Sequence, residues 1–530
     1  MDLAAWTLEE KIGQLFICGF HSLTVDEQIQ TLTQRYHVGG VVYFRRNIGS
    51  IEQLAALSRG LQALSRSRPE VPLFISIDQE GGMVARLDHE GMSRIPGNMA
   101  LGAAGDPALT EEVAVLAARE MLQLGINFNF APCVDVNNNP SNPVIGVRSF
   151  GENPQQVAVH GAAAIRGYQS QGVIATAKHF PGHGDTAVDS HLGLASVPHG
   201  KERLQQVELL PFRQAIAADV DAIMTAHVIF PAFEPEEIPA TLSRRVLTDL
   251  LRDELGYRGL IVTDCLEMQA IANHYGIAEG AVRAIEAGTD LVLVSHTLAD
   301  QIAAIERVCE AVRSGRISEA RIDGSVRRIL AMKAKRMGDA AGASNASNPL
   351  TPVAVSEALL RRAAEASVTL VRDTGNLPLQ TDQPVLVVWP ELRHRTEVDE
   401  PAVHQYTLAD ALEPLHDQVT VSVIGTRPTE EEISAVTAQS ERFGQIVVAT
   451  YTAEGEIPEG QKRLVQRLQQ IEGNRLIVVS TRNPYDLRAF PEIGTYLCLY
   501  ENRQFALDAL AKALTGRLRA RGALPVNLLP

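Results

Sequence analysis

Short apolar, β-branched runs recur through the first three hundred residues, and each is followed by a longer stretch whose apolar positions return with helical spacing. The runs fall at 15–20, 38–44, 73–78, 126–136, 173–180, 222–228, 259–265 and 290–296. They are too apolar to leave one face in water, so the strands they form must be covered on both sides, as parallel strands flanked by helices are. Eight strand–helix units in succession predict a closed (β/α)8 barrel of the TIM type over residues 1–338. A helix ending near Met337 gives way to 339–352, a stretch of Gly, Ala, Ser, Asn and Pro with the composition of a linker. Beyond it, runs at 384–389, 419–424, 446–451, 475–480 and 496–500 alternate with helical stretches, predicting a smaller three-layer α/β sandwich over 353–530.

Polar residues test the barrel reading, because such barrels gather their chemistry where the strands end. Asp78, Lys178, His179, His227, Asp264 and His296 each terminate one of the runs. Charged groups end strands for trivial reasons too, but six of these types in one set point to a shared mouth. The densest polar segment follows the fifth run: Lys178, His179, Phe180, Pro181, Gly182, His183, Gly184, Asp185 and Thr186, then Asp189, Ser190 and His191. Asp189 and His191 lie two apart, so in extended chain both side chains project to one side and the carboxylate can accept a ring N–H. Such a pair either moves a proton near neutral pH or simply stabilises the loop.

Asp264 closes the seventh run and would point into the mouth, as an ionised nucleophile or as an anchor for neighbouring amides. Glu267, three residues on, is expected inside the following helix. Asp78 with Arg86, and Arg148 in Gly-Val-Arg-Ser-Phe-Gly, combine acceptors and donors as sugar hydroxyls require.

Composition narrows the partner. At 530 residues, 45% hydrophobic and 21% charged, the chain has the balance of a globular enzyme, and a net charge of -15 disfavours nucleic acid and anionic membrane surfaces. A small molecule is the expected ligand, bound by a monomer or weak homodimer. Cys18, Cys133, Cys265, Cys309 and Cys498 are odd in number and scattered, most of them in apolar runs, which points to buried thiols in a reducing, cytoplasmic setting. No leader or anchor is apparent near Met1. No P-loop or Gly-x-Gly-x-x-Gly follows a strand, and neither a cofactor nor a metal is expected.

The run from Lys178 to Thr186 with Asp189-Ser190-His191 resembles the signature of glycoside hydrolase family three, in its β-N-acetylglucosaminidase branch, and Gly375-Asn376-Leu377-Pro378-Leu379 resembles the segment that opens the family's second domain. The resemblance implies that Asp264 is a nucleophile forming a glycosyl-enzyme intermediate, with His191 as general acid/base and Asp189 as its partner. It implies that Asp78, Arg86, Arg148, Lys178 and His179 hold the sugar, with His227 in a matching strand-end segment. Relatives often carry arginine after the glycine pair, where this chain has Met83. The implied reaction is release of terminal N-acetylglucosamine from cell-wall or chitin-derived oligosaccharides. Three other readings stay open: a phosphorylase using the same residues, a metal-dependent hydrolase built on His179, His183, Asp185, Asp189 and His191, and an inactive muropeptide-binding sensor.

Overall fold

The computed structural model describes residues 3–65, 71–187, 193–338, 353–391, 406–453, 455–471 and 475–528. The eight runs form the strands β1 (Phe16–Cys18), β2 (Gly40–Tyr43), β3 (Phe74–Ile77), β4 (Phe128–Asn129), β5 (Ile174–Phe180), β6 (Ala222–Thr225), β7 (Leu260–Cys265) and β8 (Leu291–Val294). Each pairs in parallel with its sequence neighbours, and β8 closes on β1 with Phe16 opposite Val292. Every residue of β1 to β6 and β8 is buried, which explains the absence of alternation in the sequence. The interior is packed rather than hollow: the Phe128 ring meets Phe74 at 5.3 Å and Phe130 at 5.2 Å, both edge-on.

The fourth run, expected as one long strand, pairs regularly at Phe128 and Asn129 and then continues as irregular extended chain. Pro132 has no N–H for a ladder, yet the segment stays against β5, with Thr176 donating to the Ala131 carbonyl and Val134 to that of Lys178. It therefore hugs the one strand that reaches furthest into the mouth.

The second domain has a six-stranded sheet. Its strands are β9 (Thr369–Arg372), β10 (Val385–Glu391), β11 (Val419–Gly425), β12 (Gln445–Thr450), β13 (Arg475–Ser480) and β14 (Thr495–Cys498), in the order β9-β14-β13-β12-β10-β11. Five of these were legible as apolar runs. The sixth, β9, is an antiparallel edge strand of four residues, with Leu370 40% exposed, and no run was read there. The expected linker, 339–352, lies outside the described residues.

The two domains share a core. Met83, Met99, Ala100, Ala103 and Val147 of the barrel cluster with second-domain residues including Tyr485, Tyr496, Val526 and Leu528. Met83 is thus an interface residue, which accounts for an apolar side chain at that position. No described helix is long and apolar enough to cross a membrane.

Candidate active site

A cavity of about 550 Å³ opens where the barrel strands end, and every described side chain lining it comes from the barrel. Asp78, Arg86, Arg148, Lys178, His179, Asp264 and His296 all line it. Their placement follows from the strands: β3 ends one residue before Asp78, β5 carries Lys178 and His179, and β7 carries Asp264. Asn129 of β4 pins the chain just after Asp78, accepting from the Gln79 amide and donating to the Gln79 carbonyl, both at 3.0 Å.

Glu80 organises one wall. Its carboxylate accepts two bonds from Arg148, from Nε at 3.0 Å and Nη2 at 2.8 Å, and lies 2.7 Å from Lys178 Nζ. Lys178 also donates to Asp78 at 2.8 Å, and Arg86 stands 4.0 Å from the same aspartate. Burial would push the Glu80 carboxyl upward, but the Arg148 and Lys178 charges outweigh it and hold it well below the usual carboxylate range. Arg148 and Lys178 are likewise raised despite desolvation, by Glu80 and Asp78. Glu80, Arg148 and Lys178 are thereby held ionised at physiological pH and present fixed charge to the cavity.

Asp135 organises the other. It accepts from His179 Nδ1 at 2.7 Å and from the His179 and His183 backbone amides at 3.2 and 2.6 Å. Burial opposes its ionisation, yet His179 and these hydrogen bonds lower it to about 2. With Nδ1 committed to Asp135, Nε2 is the ring nitrogen that faces the cavity, 4.0 Å from Asp264 Oδ2 and 3.5 Å from Arg148 Nη2. Asp264 Oδ1 accepts the Cys265 amide at 2.7 Å, so its carboxylate is anchored to backbone while it faces the cavity.

Two residues sit otherwise than expected. His227 is 1% exposed and does not line the cavity: its ring bonds the Thr241 hydroxyl at 2.7 Å and the Cys265 carbonyl at 2.9 Å. The chain after β6 turns away into a two-stranded pairing at Val228, so this histidine props the backbone beside Asp264 rather than reaching the cavity. Glu267 lies in the turn before the next helix, not inside it, where it accepts the amides of Ser295, His296 and Thr297 at 2.6 to 2.8 Å. It is a loop anchor for the β8 end.

Asp189 and His191 lie outside the described residues. The chain leading to them is firmly held. The Gly184 backbone runs so close to Val136 that a Cβ would stand 1.8 Å from its carbonyl oxygen, and His183 is tied to Thr186 at 2.9 Å. Asp185 meets His199 at 2.5 Å. Of the residues that a metal-dependent reading would need, His179 is bonded to Asp135, His183 to Thr186 and Asp185 to His199. All five cysteines are free thiols.

Glu80 and Asp135 were not assigned roles from the sequence. Asp135 is a carboxylate within an apolar run, and the signal that could have flagged it is that such a group requires partners to stay charged, whereas Glu80, between Gln79 and two glycines, carried no such signal.

A parallel barrel whose mouth interleaves carboxylates with guanidinium and imidazole groups around a cavity of about 550 Å³ suits a glycoside hydrolase. Residues 7–332 match the model of the glycosyl hydrolase family 3 N terminal domain. The chain belongs to glycosyl hydrolase family 3. It is 34% identical to a protein named beta-hexosaminidase A from Pseudoalteromonas piscicida, covering 96% of this chain and 92% of that one. It is 32% identical to a protein named beta-N-acetylglucosaminidase/beta-glucosidase from Cellulomonas fimi, covering 99% and 94%. Among solved structures it is similar to a family 3 beta-N-acetylglucosaminidase from Paenibacillus sp. str. FPU-7, with a TM-score of 0.95, 50% identity and 99% of each chain covered.

Proposed function

We propose that this enzyme releases terminal, non-reducing N-acetylglucosamine from cell-wall or chitin-derived oligosaccharides with retention of configuration. In this reading Asp264 attacks the anomeric carbon as the bond to the aglycone oxygen breaks, and His191, oriented by Asp189, gives that oxygen its proton. Water then cleaves the glycosyl ester, returning the carboxylate to Asp264 and a proton to His191. Asp78, Arg86, Arg148, Lys178 and His179 hold the sugar meanwhile, as acceptor and donors to its hydroxyls. The reading is carried by one observation above the rest: Asp264 ends its strand at the cavity wall beside the ionised Glu80–Arg148–Lys178 network. The names of the full-length relatives support the acetamido sugar, and the free thiols support a reducing compartment.

The test is turnover of a chromogenic N-acetylglucosaminide against the matching glucoside, for the wild type and for Asp264→Ala and His191→Ala. Preference for the first substrate is expected, with each variant losing at least about a thousandfold in kcat. Equal activity on the glucoside would remove the substrate assignment, and an active Asp264→Ala would remove the mechanism. Accumulation of sugar 1-phosphate in phosphate buffer would turn the reaction into phosphorolysis.

A further inference from the structure

The second domain contributes no side chain to the described cavity wall, yet beside its apolar contacts at Met83, Met99 and Val147 it makes polar contacts to the segments behind that wall. Just beyond β14 the chain passes through Tyr500, whose φ of 66° is a left-handed conformation that a bulky residue adopts only under constraint. Tyr500 is held there by burial and by its hydroxyl donating to Thr369 at 2.8 Å. The turn delivers Glu501 and Arg503 to the barrel. Glu501, 4% exposed, accepts the Gly97 amide at 2.8 Å, and Arg503 donates to the Gly82 carbonyl and stands 3.7 Å from Asp88.

Gly82 and Gly97 cross in direct contact. A Cβ on Gly82 would lie 2.6 Å from the Gly97 Cα and 3.5 Å from Glu501 Oε2, so the crossing has no room for a side chain and sits directly under the glutamate. Each arm then leads to the sugar wall in a step or two. Glu80, which binds both Arg148 and Lys178, is two residues before Gly82; Asn98, next to Gly97, donates to the Arg148 carbonyl at 2.6 Å.

We propose that Glu501 and Arg503 are positioning residues for the reaction: from the second domain they fix the crossing of Gly82 and Gly97, and through it the two ends of the Glu80–Arg148 pair. This rests on the reading of that wall as the sugar-holding one. Asp264 is on β7 and is anchored through the Cys265 amide of its own strand, so the consequence falls on sugar binding more than on bond cleavage.

The experiment uses the full-length enzyme and the competitive inhibition constant of N-acetylglucosamine, with KM and kcat on a chromogenic N-acetylglucosaminide and the melting temperature alongside. Glu501→Leu and Arg503→Ala are expected to raise Ki and KM about tenfold with kcat within about threefold. Glu501→Gln, which keeps an acceptor for the Gly97 amide, and Arg503→Lys, which keeps a cationic donor, should stay within about threefold of wild type. Tyr485→Phe, which breaks a different interdomain bond, to Asn137 at 3.2 Å, should lower the melting temperature and leave Ki unmoved. The proposal is overturned if folded Glu501→Leu and Arg503→Ala bind the sugar normally, or if Tyr485→Phe shifts Ki equally at equal loss of melting temperature. If Glu501→Leu does not fold, Arg503→Ala against Arg503→Lys decides. A wild type that cleaves another glycoside and ignores N-acetylglucosamine would overturn the substrate reading instead, and the same variants are then compared with the sugar it does release.

Discussion

Two lysines are fully buried at opposite ends of the same barrel, and their surroundings push them in opposite directions. At the mouth, Lys178 Nζ lies 2.8 Å from Asp78 and 2.7 Å from Glu80, and these carboxylates raise it in spite of burial. At the base, Lys333 donates to the Gln14 side chain at 2.9 Å and the Gly39 carbonyl at 2.8 Å and lies 4.8 Å above the Phe74 ring. No carboxylate approaches it within salt-bridge distance among the described residues, and burial lowers it to about 7. Equal burial with unequal company teaches where function sits. The mouth keeps charges by pairing them, at a cost in desolvation that only a site needing fixed charge repays, whereas the base satisfies its lysine with neutral acceptors and serves packing.

The sharpest way to break this contrast is to remove the mouth's counter-charge. Glu80→Gln keeps the shape but leaves Arg148 and Lys178 buried without their shared carboxylate. We expect a stability loss of about 3–5 kcal/mol and a rise in KM of at least about a hundredfold. Thermal melting and steady-state kinetics check both, and a variant with wild-type KM would show that the wall does not hold the sugar.

A smaller effect is expected from Asp135→Asn. One of its two acceptor oxygens becomes an NH2 facing the donors of His179 and His183, so the His179 ring loses the charge-assisted bond that sets which nitrogen faces the cavity. A lost bond of that kind is worth about 1.5–3 kcal/mol, so kcat/KM should drop by about 10- to 100-fold. A pH–rate profile unchanged in shape and height would argue that Asp135 is structural only.

The base should respond least in activity and most clearly in pH dependence. The folded-state value of about 7 for Lys333 lies below the roughly 10.4 of an unfolded lysine, so between these pH values the unfolded chain binds more protons than the native one. Stability therefore rises with pH across that window, and below about 7 the full burial penalty remains. Lys333→Met removes the slope, while the Gln14 side-chain oxygen left without its donor costs about 1–3 kcal/mol and the Gly39 carbonyl keeps the Phe74 amide. Melting temperatures at pH 7 and pH 9 for both proteins check this: the rise expected in the wild type should be absent in the variant, with kcat/KM within about twofold in each.

Much of this architecture was legible before any coordinates, for a local reason. Burial on both faces imprints continuous apolarity on a parallel strand, and helices imprint their own spacing, so all eight barrel strands and five of six in the second sheet announced themselves. The four-residue edge strand β9 did not, and the fourth run overstated its regular pairing because Pro132 interrupts a ladder without interrupting apolarity. Asp78, Lys178, His179 and Asp264 were placed at the mouth by the same logic of strand ends. His227 obeyed that logic in sequence and escaped it in space, because the chain after β6 bends away.

The sequence by itself thus determined which elements form and which residues end them, since both depend on neighbours along the chain. Which charges meet was decided by barrel closure. Glu80 finds Arg148 across 68 positions and Lys178 finds Asp78 across 100. Glu501 reaches Gly97 across 404, after a second domain has folded and docked. No local pattern encodes such pairings, because the energy of a buried charge depends on what surrounds it in space, and those neighbours exist only in the closed fold.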